Sequence, residues 1–445
     1  MSEMIRTEFV APRERDGRTV VEFNHRGPVM VGHSREVWHE MQSQCPVAWT
    51  EAHGGHWVFT GAREVMDAAR DDARFSSAHV IGTETGVAIP AMPNWGGIIE
   101  MDPPDFTAIR KAFVPWFTRK SAEARRPLVE MLVDYCLDAF IERGQADLAA
   151  ELAAPLPALL TMQFMGFPLS EAARWAGLFH LHSYALPGTP DGDRVVEGIV
   201  ELERIIRERA AVARENPGRD FLSFLANLRV DGELLPLEQV SGHGFLVLIG
   251  GIDTSAALLT NTLIHVSEHP EIRAKLQGGP EGLVTAFHEF LRYYTPVPSL
   301  ARTATSECVM AGQQIRPGDR VLLSWAAANL SPELFEAADE LRTERWPNRH
   351  VALGVGLHRC LGANVAEVVW TSAVARILER LPDFRVDMSS ARRYPDIGVS
   401  DGWTNIPATF TPGAKVGGTL NEELGLDVTR LASDLAELER DAQEV

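Results

Sequence analysis

The chain has 445 residues, of which 45% are hydrophobic and 23% charged, with a formal net charge of −19. That is a globular composition, and its acidic balance argues against nucleic acid as a partner. Four scattered cysteines (Cys45, Cys136, Cys308, Cys360) form no Cys-x-x-Cys pair, which disfavours both a disulfide framework and a structural zinc site.

In chain order, the first segment, MSEMIRTEFVAPRERDG, mixes acids and bases without an apolar run and predicts neither signal peptide nor anchor. His56–Thr60 alternates as a short strand. Ser121–Glu142 carries apolar residues at helical spacing and ends near Gly144. Val195–Arg214 keeps Ile199, Leu202, Ile205 and Ile206 on one side, as a surface helix does. Leu237–His269 reads as one long helix stopped by Pro270, and Pro280–Tyr294 as another stopped by Pro296. Cys308–Met310 and Gln314–Leu323 read as strands, with an Ala-Gly turn and a Pro317-Gly318-Asp319 turn beside them. A last core helix covers Ala363–Leu378.

These elements predict a mainly α protein with small β-sheets, in one domain over residues 1–412. From Gly413 the composition changes: Gly413, Gly417 and Gly418 predict a flexible join to an acidic extension, residues 413–445. There Val428, Leu431, Leu435, Leu438 and Ala442 form a short apolar stripe, suited to docking on the domain or to partial disorder rather than dimerisation. No stretch of about 18 charge-free apolar residues occurs. The most apolar one, 245–259, is interrupted by Gly250, Gly251 and Asp253, which predicts a buried helix, no membrane contact and a cytoplasmic protein. Neither a dinucleotide fingerprint nor a P-loop is present.

The chemistry concentrates in Leu353-Gly354-Val355-Gly356-Leu357-His358-Arg359-Cys360-Leu361-Gly362. Alternate glycines permit a tight bend with amides turned toward a sulfur, and a helix begins just after. A cysteine at a helix N-terminus has its thiolate favoured, which suits an iron ligand. The plain alternative is a buried structural cysteine. In the long helix, Gly250 and Gly251 cost roughly 1 kcal/mol each against alanine, and Asp253 and Thr254 are polar within an apolar run. A kinked core helix or a ligand groove would explain them. Glu289 and Arg292 stand at i, i+3, common on any helix surface.

Together these segments resemble the cytochrome P-450 family of bacterial type. The 353–362 segment resembles its heme-binding loop, with Leu353 where the family has phenylalanine. The resemblance implies that heme b lies between the long distal helix and the proximal loop, with Cys360 as iron ligand and Gly354 and Gly250 against the cofactor. It makes Thr254 the oxygen-activating alcohol and Asp253 the proton-relay acid. Arg110, in Asp102-Pro103-Pro104-Asp105-Phe106-Thr107-Ala108-Ile109-Arg110, Arg302 and His358 match propionate contacts, as guanidinium chemistry suits. Phe106 replaces the usual histidine or glutamine, so one such contact is expected to be missing. Glu289, Arg292 and Arg345 match a structural network. After the ligand, Ala366-Glu367-Val368-Val369 departs from the family's Ala-Arg-x-Glu and is expected to alter surface charge.

The implied activity is insertion of one atom of O2 into an apolar small molecule, with electrons from a separate ferredoxin and ferredoxin reductase. Leu246, Ile249, Gly250, Val297 and the loop near Trp403 are expected to meet the substrate. A peroxide-driven peroxygenase typically lacks the acid–alcohol pair; a non-catalytic gas-binding heme protein is a further alternative. Lys111, Arg119, Lys120, Arg125, Arg126, Arg349 and Arg359 suggest a basic face for an acidic electron donor.

Overall fold

The computed structural model describes residues 10–417, so the apolar stripe of the extension lies outside the described residues. Helices dominate around a seven-stranded sheet. Its spatial order is Val10–Arg15, Arg18–Glu22, Val47–Thr50, His56–Phe59, Arg320–Ser324, Ser299–Ala304 and Phe75–Ser76. The His56–Phe59 strand is central and buried at all four residues, so its alternation does not divide core from solvent. Arg302 pairs with Val321 across an antiparallel ladder. Side chains two apart share a strand face, and this register turns Leu300 and Arg302 together toward the central cavity.

The expected Ser121–Glu142 helix is broken into Arg119–Glu123 and Arg126–Asp138, followed by a turn of 3-10 helix at Ile141–Arg143. Pro127 is the cause: lacking an N–H, it fits the first turn of a new helix but not the interior of an old one. The surface helix begins earlier than expected, at Pro190, where Thr189 Oγ1 accepts from the Gly192 amide at 3.1 Å. Gln314–Leu323 proves to be two strands in different sheets. Gln313–Ile315 forms a hairpin with Cys308–Met310 through Ala311 and Gly312, both at positive φ, and Arg320–Ser324 joins the large sheet. The helix Met30–Gln44 was not anticipated.

The long helix runs over Leu237–Glu268. By length and composition it could cross a membrane, but 67% of its most apolar window is buried inside the fold, as expected of a core helix. The Gly413–Gly417 segment is tied down rather than loose. Gly413 N donates to Ile141 O at 3.1 Å, and the Val416 and Gly417 amides donate to Asp138 at 3.2 and 3.0 Å.

Behind the cavity, Glu289 and Arg292 on Pro280–Tyr294 form a fully buried bidentate pair, both bonds 2.8 Å. Glu289 also accepts from the Arg342 amide at 2.8 Å, Arg345 Nε at 3.1 Å and Asn348 Nδ2 at 2.9 Å. Arg292 spends its remaining protons on the Asn329, Ala338 and Glu340 carbonyls at 2.8–2.9 Å. Burial acts to raise the Glu289 pKa, but the bonds from Arg292 and its neighbours outweigh it and hold the carboxyl below its usual range.

Glu289→Ala leaves a buried guanidinium without its carboxylate, and should lower stability by about 3–5 kcal/mol in denaturant unfolding at neutral pH. A depressed carboxyl contributes stability above its unfolded pKa of about 4.3 and loses it as pH falls through its lower folded value. The difference between variant and wild type should therefore shrink in acid below that range. An equal difference at both pH values would show that the charge is not its source.

Candidate functional site

The Cys360 loop is built as its glycines require. Gly354 and Gly356 have φ of +68° and +74°. A Cβ on Gly356 would stand 2.6 Å from the Ala69 carbonyl, so no other residue fits there. Cys360 N donates to Leu353 O at 2.7 Å and Gly354 N to Val351 O at 2.8 Å, closing the bend. Leu353 thus fixes the loop through its carbonyl, whatever its side chain. The helix Ala363–Arg380 starts immediately beyond. Cys360 is exposed and lines a cavity of about 450 Å³. Burial raises its pKa, against the Gly362 N–H and the positive charges of Arg110 and Arg359.

Beside the thiol stands a cationic wall. Arg302 is buried and donates to Ala301 O at 2.7 Å, and burial lowers its pKa to about 10. Arg110 donates to the Arg359 carbonyl at 2.5 Å. His358 has neither ring nitrogen satisfied; burial and then the two arginines hold its pKa down to about 3, so it is neutral. Phe106, in place of a polar residue, packs on this imidazole at 4.4 Å between centroids. It positions His358 instead of contributing a bond of its own. A thiol that needs a cation on sulfur, facing buried donors that need an anion, fits a metal macrocycle bearing carboxylates.

The long helix forms the opposite polar feature. Gly250 opens on the cavity, where an added Cβ would meet nothing within 4 Å among the described residues, whereas Gly251 lets Thr161 approach, since a Cβ would lie 2.7 Å from Thr161 Oγ1. The two glycines therefore serve different purposes. The helix stays α-helical through this turn, and Thr254 Oγ1 donates to Gly250 O at 2.7 Å. Asp253 does not line the cavity. It is buried on another face, accepting from Tyr394 Oη at 3.0 Å and from Ser183 Oγ, with His180 Nδ1 at 3.4 Å.

Leu246, Ile249 and Val297 line the cavity as expected; Trp403 does not. Its indole donates to Asn261 Oδ1 at 3.0 Å and Arg393 stacks over it, so it belongs to the core, and Gly398 and Val399 take its place at the wall. Glu367 corrects a second expectation. It is 3% exposed and accepts a bidentate pair from the exposed Arg119 at 2.7 and 2.9 Å, so the departure after the cysteine creates a buried carboxylate held by a surface arginine, not a free surface charge. The basic face is smaller than the sequence suggests. Arg119 is bound to Glu367, Arg126 to Glu123, and Arg125 lies over Phe164; Lys111, Lys120, Arg349 and Arg359 stay exposed.

The Cytochrome P-450 family profile matches residues 283–408. The chain is 29% identical to the steroid C26-monooxygenase of Mycolicibacterium smegmatis, over 86% of this chain and 94% of that one. It is 33% identical to nocardicin C N-oxygenase of Nocardia uniformis subsp. tsuyamanensis, over 74% and 83% of the two. Among solved structures it resembles the Mycobacterium marinum cytochrome P-450 CYP268A2 in complex with pseudoionone. There the TM-score is 0.79 and the identity 25%, over 85% of this chain and 95% of that one. The two relatives are named as a monooxygenase and an N-oxygenase, both oxygen-using oxidoreductases. The chain belongs to the cytochrome P-450 family, as a monooxygenase of the bacterial type. The family implies a heme-thiolate cofactor.

Cys360→His should move the Soret band of the reduced, carbon-monoxide-bound protein from the thiolate position to that of histidine-ligated heme. An unchanged spectrum would assign the ligand elsewhere.

Proposed function

We propose that this chain binds heme b through Cys360 and inserts one atom of O2 into an apolar small molecule, by hydroxylation or oxidative dealkylation. Electrons come from a separate ferredoxin and its reductase in the cytoplasm. The observation that carries the reading is one cavity onto which Cys360, the Arg110–Arg302–His358 wall and Thr254 all open. When bound, the heme supplies the oxygen chemistry that no side chain here can perform. Arg110, Arg302 and His358 are the donors for its carboxylates. Leu246, Ile249 and Val297 keep water out and orient the substrate by contact.

Thr254 donates its hydroxyl hydrogen bond to the Gly250 carbonyl, so its oxygen is free to accept from the cavity side. It can hold a water or a protonated ligand there. Asp253 stands behind it with Ser183, His180 and Tyr394, a route for protons that avoids the apolar pocket. The presence of both residues favours oxygen over peroxide as the oxidant, and catalysis over gas carriage. Relatives named for steroid and linalool oxidation, the latter from Pseudomonas putida, support an apolar substrate.

Thr254→Ala should keep heme and substrate binding but divert electrons to peroxide, lowering product per NAD(P)H several-fold; wild-type coupling would make the hydroxyl a helix bond only. For the donor, charge reversal at Lys111 or Lys120 should slow reduction by ferredoxin and flatten its salt dependence, leaving dithionite reduction intact. Arg119→Glu is the unsuitable variant, because it breaks the pair with Glu367.

A further inference from the structure

The cavity carries a second polar grouping that heme binding does not use. His182, on the helix Ala172–Tyr184, lines the cavity at 7% exposure, and its Nδ1 is buried with no hydrogen-bond partner. His25 also lines it; its Nε2 meets the Ile89 carbonyl at 2.9 Å, and its Nδ1 is likewise unpartnered. Burying a ring nitrogen unpaired is unfavourable unless something in the cavity completes it. Nothing in the proposed oxygen chemistry requires either ring.

The frame around them is rigid. Arg26 donates to Asp396 at 2.9 Å and to the Ala185 carbonyl at 3.0 Å, and Val399 N donates to Ser183 O at 3.0 Å. Gly398 is pressed between, since a Cβ would lie 2.6 Å from both Arg26 Nη2 and Ser183 O. The end of the His182 helix is thus pinned against the 396–399 loop. The grouping is also electrically neutral. Burial holds the His182 pKa down to about 4, and Asp396 balances Arg26. A carboxylate would gain no net charge there, whereas a neutral imidazole can donate to or accept from an uncharged oxygen.

The geometry points to His182, seconded by His25, as the handle that holds a hydroxyl or carbonyl oxygen of an otherwise apolar substrate. This inference rests on the monooxygenase reading above. His182 selects and orients the substrate and takes no part in the oxidation.

The test uses the heme-loaded protein and two matched pairs, camphor with bornane and progesterone with pregnane, titrated by calorimetry. His182→Phe should weaken binding of each ketone about fivefold, the factor expected for one neutral hydrogen bond, and leave each hydrocarbon within about twofold. His182→Gln, which keeps an N–H, should recover part of the loss. Thermal stability of His182→Phe should not fall, because an unpaired buried nitrogen is removed; a fall would mark a structural role and count against the handle. Equal effects on ketone and hydrocarbon, or no effect, would overturn the proposal, as would failure of all four probes to bind. The reduced carbon-monoxide spectrum separates the two readings. A normal thiolate band with no ketone selectivity sinks the handle alone, and a missing band sinks the monooxygenase reading with it.

Discussion

The structure hangs on the buried Glu289–Arg292 pair. Two full charges out of water are tolerable only when every lone pair and proton is answered, and here they are. The guanidinium reaches the Asn329 carbonyl. Asn329 Oδ1 in turn receives the Val351 amide at 2.7 Å, and the Val351 carbonyl receives Gly354 N at 2.8 Å. An unbroken chain of hydrogen bonds and backbone therefore joins the pair to the bend that holds Cys360. The pair sets where the sulfur stands without approaching it.

Position alone does not make Cys360 a ligand. Buried sulfur prefers its proton, and one amide with two guanidiniums only moderates that preference. A cation at the sulfur would reverse the balance and remove the proton. The wall opposite has the complementary need, with Arg302 buried among few acceptors and His358 unsatisfied. The site is one in which each half is unfavourable alone and both are relieved by a single amphiphilic cofactor, a form of preorganisation created by folding.

What was legible in the sequence was what backbone geometry demands locally. The Gly354–Gly356 bend, the Pro270 and Pro296 stops and the Thr254 position each follow from residues within a few places of one another. What was not legible depends on partners far along the chain. Glu367 looked like surface charge because Arg119, 248 residues away, cannot be paired with it by inspection. Trp403 looked available to substrate because Asn261, 142 residues earlier, is its acceptor. The basic face was overcounted partly for the same reason, through Arg119, and partly because Arg126 pairs with Glu123 only three residues away. The split at Arg126–Pro127 was readable, and the helical periodicity on both sides of Pro127 hid it.

Asp253 and Thr254 show how one helix serves two compartments. Successive residues on an α-helix point about 100° apart, and at this turn Thr254 lines the cavity while Asp253 does not. Thr254 takes the cavity, and Asp253 is sent into a cluster of Ser183, His180 and Tyr394. The tight approach of Thr161 at Gly251 fixes the helix rotation that makes this division. Larger side chains at 250 or 251 would fill the groove or push the helix away, and either change would separate the alcohol from the space it faces. Helix glycines that look like defects of propensity are what keep the two polar residues on their proper sides.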